Sequence, residues 1–161
     1  MRSKRVKYIT QAAMIAAIYV VLTLFISAFH LASGAIQIRI SEALTVLPAF
    51  TPAAIPGLFI GCFISNLISG GLILDVIFGS LATLIGACGT YLLRKWKWAV
   101  PIPPILSNVL IVPFVQAYVY NFPGGAPYFM ATVGIGQIIS CGILGMIVYG
   151  IIAKHRNVIF K

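Results

Sequence analysis

Two acids are the only carboxylate side chains in these 161 residues, and both lie inside apolar sequence. Between Tyr8 and Leu93 the only charged residues are Arg39, Glu42 and Asp75. A carboxylate in a bilayer costs about 3 kcal/mol on insertion scales, so such a residue reads by default as part of a site. Glu42 and Asp75, with Arg39 beside them, point to a polar pocket that binds a donor-rich ligand carrying positive charge. The competing reading pairs Arg39 with Glu42, three apart on a helix, and leaves Asp75 to cap the next one. Four amides extend the set: Asn66, Asn108, Gln116 and Gln137. Asn108 and Gln116 are eight apart, so they share a helix face about two turns apart. Amides offer donors and acceptors together, which suits the edge of a heterocycle; in the alternative they hydrogen-bond between helices, worth about 0.6–2 kcal/mol each. Tyr118, Tyr120 and Tyr128 fit an interfacial aromatic belt, and Tyr128 is the one carried forward as a ring-stacking candidate.

Nothing in the sequence positions a nucleophile. There is no G-x-x-x-x-G-K-[ST] run, no H-E-x-x-H and no nucleophile elbow. The reading is therefore not an enzyme, with no cofactor. Cys62, Cys88 and Cys141 have no metal-ligand spacing and read as small buried apolar residues, so no metal is expected. His30 and His155 receive no role.

The elements that must carry these side chains follow from the hydropathy. The chain is 61% hydrophobic and 8% charged, with a formal charge of +9. A soluble domain is about 25% charged, and disorder requires low hydrophobicity. The basic residues sit in short clusters between apolar stretches, not along one face, which argues against a nucleic-acid partner and for a lipid bilayer. A span needs about 20 apolar residues. The expectation is an all-α membrane protein: a six-transmembrane-helix bundle with spans at about 8–30, 40–51, 53–71, 74–93, 101–121 and 127–153. The second is short and interrupted by Pro48 and Pro52, hence kinked or tilted. Arg2, Lys4, Arg5 and Lys7 precede span one, Arg94, Lys95 and Lys97 follow span four, and Lys154, Arg156 and Lys161 follow span six. Six spans with cytoplasmic N- and C-termini put all of these inside, leaving Arg39 outside. Span one lacks a small-x-small cleavage site and is not read as a signal peptide. Residues 1–161 read as a single integral membrane domain, without a sequence repeat. Gly- or Pro-bearing connections at 30–34, 69–71 and 121–127 fall on the outer side.

Span one also carries Ala12-Ala13-Met14-Ile15-Ala16-Ala17, two overlapping small-xxx-small patterns that let another helix approach closely.

The run RISEALTVLPAFTPAAIPGLFIGCFISNL from Arg39, followed by DVIFGSLATLIGA from Asp75, resembles the QueT family. These are substrate-binding S components of energy-coupling factor transporters, which are ABC-type importers. The resemblance implies a multi-pass protein of a prokaryotic plasma membrane that captures a queuosine precursor, 7-aminomethyl-7-deazaguanine, at its outer face. It implies partners: a transmembrane coupling subunit and two ATPase subunits, whose hydrolysis topples the S component. The family's Ala-x-x-x-Ala contact with the coupling subunit maps onto Ala12 and Ala16 or Ala13 and Ala17, with the register open. One acid would hold the guanine edge and the other the ammonium, in an order left open; the amides would serve the ring carbonyl and remaining edge, and Arg39 would orient Glu42. The alternatives are an S component for another vitamin or nucleobase, and a non-catalytic structural subunit of a membrane complex.

Overall fold

A computed structural model describes residues 2–28, 38–119 and 125–159. Helix α1 (Arg2–Ala28) is 27 residues long, about 40 Å at 1.5 Å per residue. That exceeds a hydrocarbon core of about 30 Å. It starts earlier than the apolar run, so Lys4, Arg5 and Lys7 ride on its first turns, exposed. A ten-residue 3-10 helix (Ile40–Ala49) comes next, with Pro48 inside it. Then follow α2 (Ala54–Ile68) and α3 (Ile73–Leu92). A short 3-10 turn (Lys97–Ala99) leads to α4 (Ile102–Tyr118). The last segment is continuous: α5 (Gly125–Gln137), a π-helical stretch (Ile138–Leu144) and α6 (Gly145–Ile159). The connection from α2 to α3 turns at Gly70, whose φ of 76° is left-handed and favours a residue without Cβ.

Among the described residues there is no strand. Four helical stretches are long and apolar enough to cross a membrane: Ser3–Ala28, Ile73–Leu92, Lys97–Tyr118 and Gly125–Arg156. Ile40–Ala49 and Ala54–Ile68 are apolar but shorter. Shortness of the second element was expected; its 3-10 geometry was not. Runs of 3-10 helix beyond three or four residues are uncommon. This one is sustained by burial, since Ser41 to Leu47 except Leu44, and Pro48, are all buried. It packs against α1, α2, α3, the π stretch and α6. Its hydroxyls are satisfied locally: Thr45 Oγ1 donates to the Glu42 carbonyl at 2.6 Å, and Thr23 of α1 donates to Ser41 Oγ at 2.8 Å. The remaining helices pack as sequential neighbours, α1 on α2, α2 on α3, α3 on α4 and α4 on α5.

Glycines set how closely these neighbours approach. A Cβ on Gly57 would lie 2.7 Å from the Ala12 carbonyl oxygen, and one on Gly61 would lie 2.9 Å from Tyr19 Cβ. A Cβ on Gly86 of α3 would meet Pro104 Cα of α4 at 2.6 Å and Ser107 Oγ at 2.9 Å. Backbone cannot yield there as a flexible side chain would. Gly86→Val should therefore cost about 1–3 kcal/mol through overpacking, read as a fall of several degrees in thermal unfolding in detergent. Gly150→Ala, where a Cβ meets nothing within 4 Å, should not lower it. A Gly86→Val protein as stable as the parent would show that α3 and α4 can separate without loss.

Candidate functional site

The polar residues converge on the buried 3-10 helix. Glu42 is 1% exposed. The Tyr19 hydroxyl, from the middle of α1, donates to Glu42 Oε1 at 2.5 Å. Among the described residues, Glu42 Oε2 is buried without a hydrogen-bond partner, as is Gln116 Oε1 on α4. Arg39 stands just before the 3-10 helix with extended backbone, φ −109° and ψ 102°. Its N–H donates to Ser140 Oγ at 3.2 Å, and its Nη1 donates to Asn66 Oδ1 at 3.3 Å. Asn66 Nδ2 in turn reaches Cys62 Sγ at 3.4 Å, which also receives the Thr83 hydroxyl at 3.3 Å. Arg39 thus ties the start of the 3-10 helix to α2 through its guanidinium and to the π stretch through its backbone N–H.

The π stretch matters to this geometry. An i→i+5 turn widens the helix and re-aims its side chains, and such turns are frequent at functional sites. Here adjacent Ser140 and Cys141 are both fully buried and both reach the 3-10 segment. The Cys141 thiol donates to Gln137 Oε1 at 3.0 Å and lies 3.5 Å from the Glu42 carbonyl. That bond uses one lone pair of Oε1 and leaves the Gln137 amide N–H groups as donors. Asn108 is the reverse: its Nδ2 donates to the Pro104 carbonyl at 2.9 Å, which leaves Oδ1 as an acceptor.

Arg39, Asn108, Val112, Val133 and Gln137 line a cleft of about 290 Å³, counting its share of open space. Val112 is one turn beyond Asn108, and Gln137 one turn beyond Val133, so successive turns of α4 and α5 form facing walls. Asp75 sits in the first turn of α3, half-buried, and its charge acts on Arg39 together with that of Glu42. Two acidic side chains thus accompany one guanidinium in this region.

Of the residues singled out from sequence, Arg39, Glu42, Asn66 and Gln137 belong to one connected network, and Asn108 faces it across the cleft. Gln116 is buried two turns further along α4. Tyr128 is not drawn in; it is 47% exposed and sits edge-on against Phe129, with centroids 5.3 Å apart. The Arg39–Glu42 helix pair does not form, because Arg39 precedes the helix and Glu42 bonds to Tyr19 instead. Ala16 is buried and Ala12 half-buried, both against α2 at Gly57 and Gly61, while Ala13 and Ala17 are exposed. The loop at 30–37, Tyr120 and the 121–124 turn lie outside the described residues. Sequence reasoning missed Tyr19, Ser140 and Cys141. Tyr19 had a usable signal: with Thr23 it makes a polar i, i+4 pair on one face of an aliphatic span. Among the described residues no group of three or more His, Cys, Asp or Glu is placed to hold a metal ion.

Comparison with known proteins adds an independent line. The chain is 38% identical over 98 residues to the queuosine precursor transporter QueT of Lactococcus lactis subsp. cremoris (strain MG1363), a match covering 60% of this chain and 57% of that relative. The matched stretch thus spans little more than half the length of the relative. No solved structure matches. The family model described as QueT transporter matches residues 9–154, from the second turn of α1 almost to the end of α6. A buried acid and a half-buried guanidinium inside an all-helical, apolar bundle, together with a family match over that length, make this chain a multi-pass plasma-membrane protein that belongs to the QueT transporter family.

Proposed function

We propose that this chain is the substrate-binding S component of an energy-coupling factor importer, and that its ligand is 7-aminomethyl-7-deazaguanine. The observation that carries the reading is Glu42, 1% exposed in an apolar bundle with Oε2 unpartnered. A buried carboxylate oxygen without a donor is expensive, and a ligand N–H removes that cost. The relative's name, a queuosine precursor transporter, supports the same ligand class. The site comprises Glu42, Asp75, Asn66, Asn108, Gln116, Gln137 and Arg39. Tyr128, exposed beside Phe129, is assigned to its mouth.

In this reading the whole chain is one membrane domain that crosses six times, with both termini cytoplasmic. The 3-10 helix and α2 count as the two short crossings, and the basic residues at 94–97 and 154–156 lie inside. Chemistry is left to the partners: a transmembrane coupling subunit and two ATPase subunits. Ala13 and Ala17, the exposed small pair, face the coupling subunit; Ala12 and Ala16 serve internal packing on α2.

Calorimetric titration of the purified protein in detergent tests the ligand. The expected result is saturable binding of 7-aminomethyl-7-deazaguanine, with guanine weaker and biotin silent, since an anionic ligand would meet two acidic side chains and a single guanidinium. A folded sample that binds none of the three overturns the proposal.

A further inference from the structure

The two acids sit in different surroundings. Glu42 is at the bottom of the network, 1% exposed, with Oε1 engaged by Tyr19 and Oε2 unpartnered. Asp75 is half-buried in the first turn of α3. Around them the hydrogen-bonding capacity is sorted. Cys141 donates to the Gln137 oxygen and orients the amide, whose N–H groups are donors at the cleft, as is the Arg39 guanidinium. Pro104 occupies the Asn108 amine, so Asn108 offers an acceptor.

From this arrangement we infer that Glu42 reads the donor edge of the guanine ring, Gln137 and Arg39 read its carbonyl, and Asp75 takes the ammonium. This division of labour rests on the proposed ligand and goes beyond it by assigning each group. A lactam edge presents a ring N–H and an exocyclic amine beside a carbonyl. Oε2 of Glu42 accepts the ring N–H, and Oε1, which keeps a lone pair beyond Tyr19, accepts the amine. The adjacent carbonyl then meets the donor side of the cleft. A flat, uncharged edge tolerates a dry location; an ammonium keeps part of its hydration and belongs at the wetter acid. Tyr19 acts as a positioning residue, since its hydroxyl fixes the rotamer of the Glu42 carboxylate.

A ligand pair tests the assignment: 7-aminomethyl-7-deazaguanine and its 7-cyano counterpart, which has the same edge and no ammonium. Affinities are measured by calorimetry for the parent, Glu42→Gln, Asp75→Asn and Tyr19→Phe. Glu42→Gln should weaken both ligands by about a hundredfold and keep the preference between them. Asp75→Asn should collapse that preference, by about tenfold or more. Tyr19→Phe should weaken both ligands in parallel, by about tenfold; a merely structural role for Tyr19 would lower thermal stability with no such parallel loss in the ligand-saturated protein. The deazaadenine bearing the same aminomethyl group, which lacks the ring N–H and carbonyl, should bind the parent about a thousandfold more weakly. Collapse of the preference in Glu42→Gln with its retention in Asp75→Asn would reverse the roles and overturn the inference while leaving the proposed ligand standing. Silence of both acid substitutions on a parent that binds would overturn it in the same way. A parent that binds neither deazaguanine would overturn the ligand reading itself. Should Glu42→Gln fail to fold, the Asp75→Asn preference and the Tyr19→Phe parallel loss still decide the assignment.

Discussion

Arg39→Gln should be the most damaging single change in the site, lowering unfolding stability in detergent by about 3 kcal/mol and abolishing ligand binding. The magnitude comes from what the substitution leaves behind. Glu42 is buried and Asp75 half-buried, and Arg39 is the cation whose charge acts on both. Breaking a direct buried ion pair by deleting one partner costs about 3–5 kcal/mol because the other charge stays uncompensated, and Arg39 and Glu42 make no such direct contact. Arg39 is itself only half-buried, which puts the estimate at the low end. Its bond to Asn66 goes as well, and Asn66 Oδ1 loses its donor. The same argument yields a rescue. Arg39→Gln combined with Glu42→Gln removes the orphaned charge, and should recover more than half of the lost stability without recovering binding. Thermal unfolding of the four proteins in one detergent, with calorimetry alongside, reads both quantities. If the double variant is no more stable than Arg39→Gln alone, the charges are not coupled and the electrostatic account of this network fails.

Much of that network was legible from residue types. Arg39, Glu42 and Asp75 stand out because an apolar chain has so few charges, and the amides because they interrupt long aliphatic runs. Sparse polarity in a membrane sequence carries information directly, since each such group must find a partner or a purpose. The helical class and the long apolar helices followed from the same arithmetic, although α1 starts at Arg2 and α6 ends at Ile159, both beyond the apolar stretches read from hydropathy.

What was not legible depended on backbone geometry. Hydropathy marks residues 40–51 as short, but does not distinguish a kinked α-helix from a 3-10 helix. That difference decides where side chains point: three residues per turn bring positions 42 and 45 onto one face, and Thr45 closes on the Glu42 carbonyl. It also leaves Arg39 outside the helix, free to reach Asn66 instead of Glu42. The π stretch is the second case. Ile138–Leu144 reads as an unremarkable helical run, so Ser140 and Cys141 had no visible claim to the site. Cys141 was read as apolar filler because thiols usually are; in place it sets the orientation of Gln137. Helix register was the third unknown. Ala12/Ala16 and Ala13/Ala17 are equivalent as patterns, and only the glycines of α2 tell them apart, by taking the first pair into the bundle.

That register leads to the largest functional effect expected from a residue outside the pocket. Ala13→Trp combined with Ala17→Trp should reduce precursor uptake by cells at least about tenfold, while the purified protein keeps its ligand affinity. Both alanines are exposed, and they sit in a stripe with Met14, Ile18 and Val21, which are 57%, 47% and 65% exposed. In a membrane the stripe faces lipid or a partner. Lipid accepts a tryptophan in place of an alanine at little cost, whereas a helix that approaches as closely as small residues allow does not. The two occupants therefore give opposite outcomes for the same substitution. Ala16→Trp is the contrast: it would collide with α2 at Gly61 and should lose binding and uptake together through loss of fold. Uptake is measured in cells expressing the coupling and ATPase subunits, with the amount of membrane-inserted protein matched between variants. Parental uptake by the Ala13→Trp, Ala17→Trp protein would mean that this face meets only lipid, and that any coupling subunit docks on another surface.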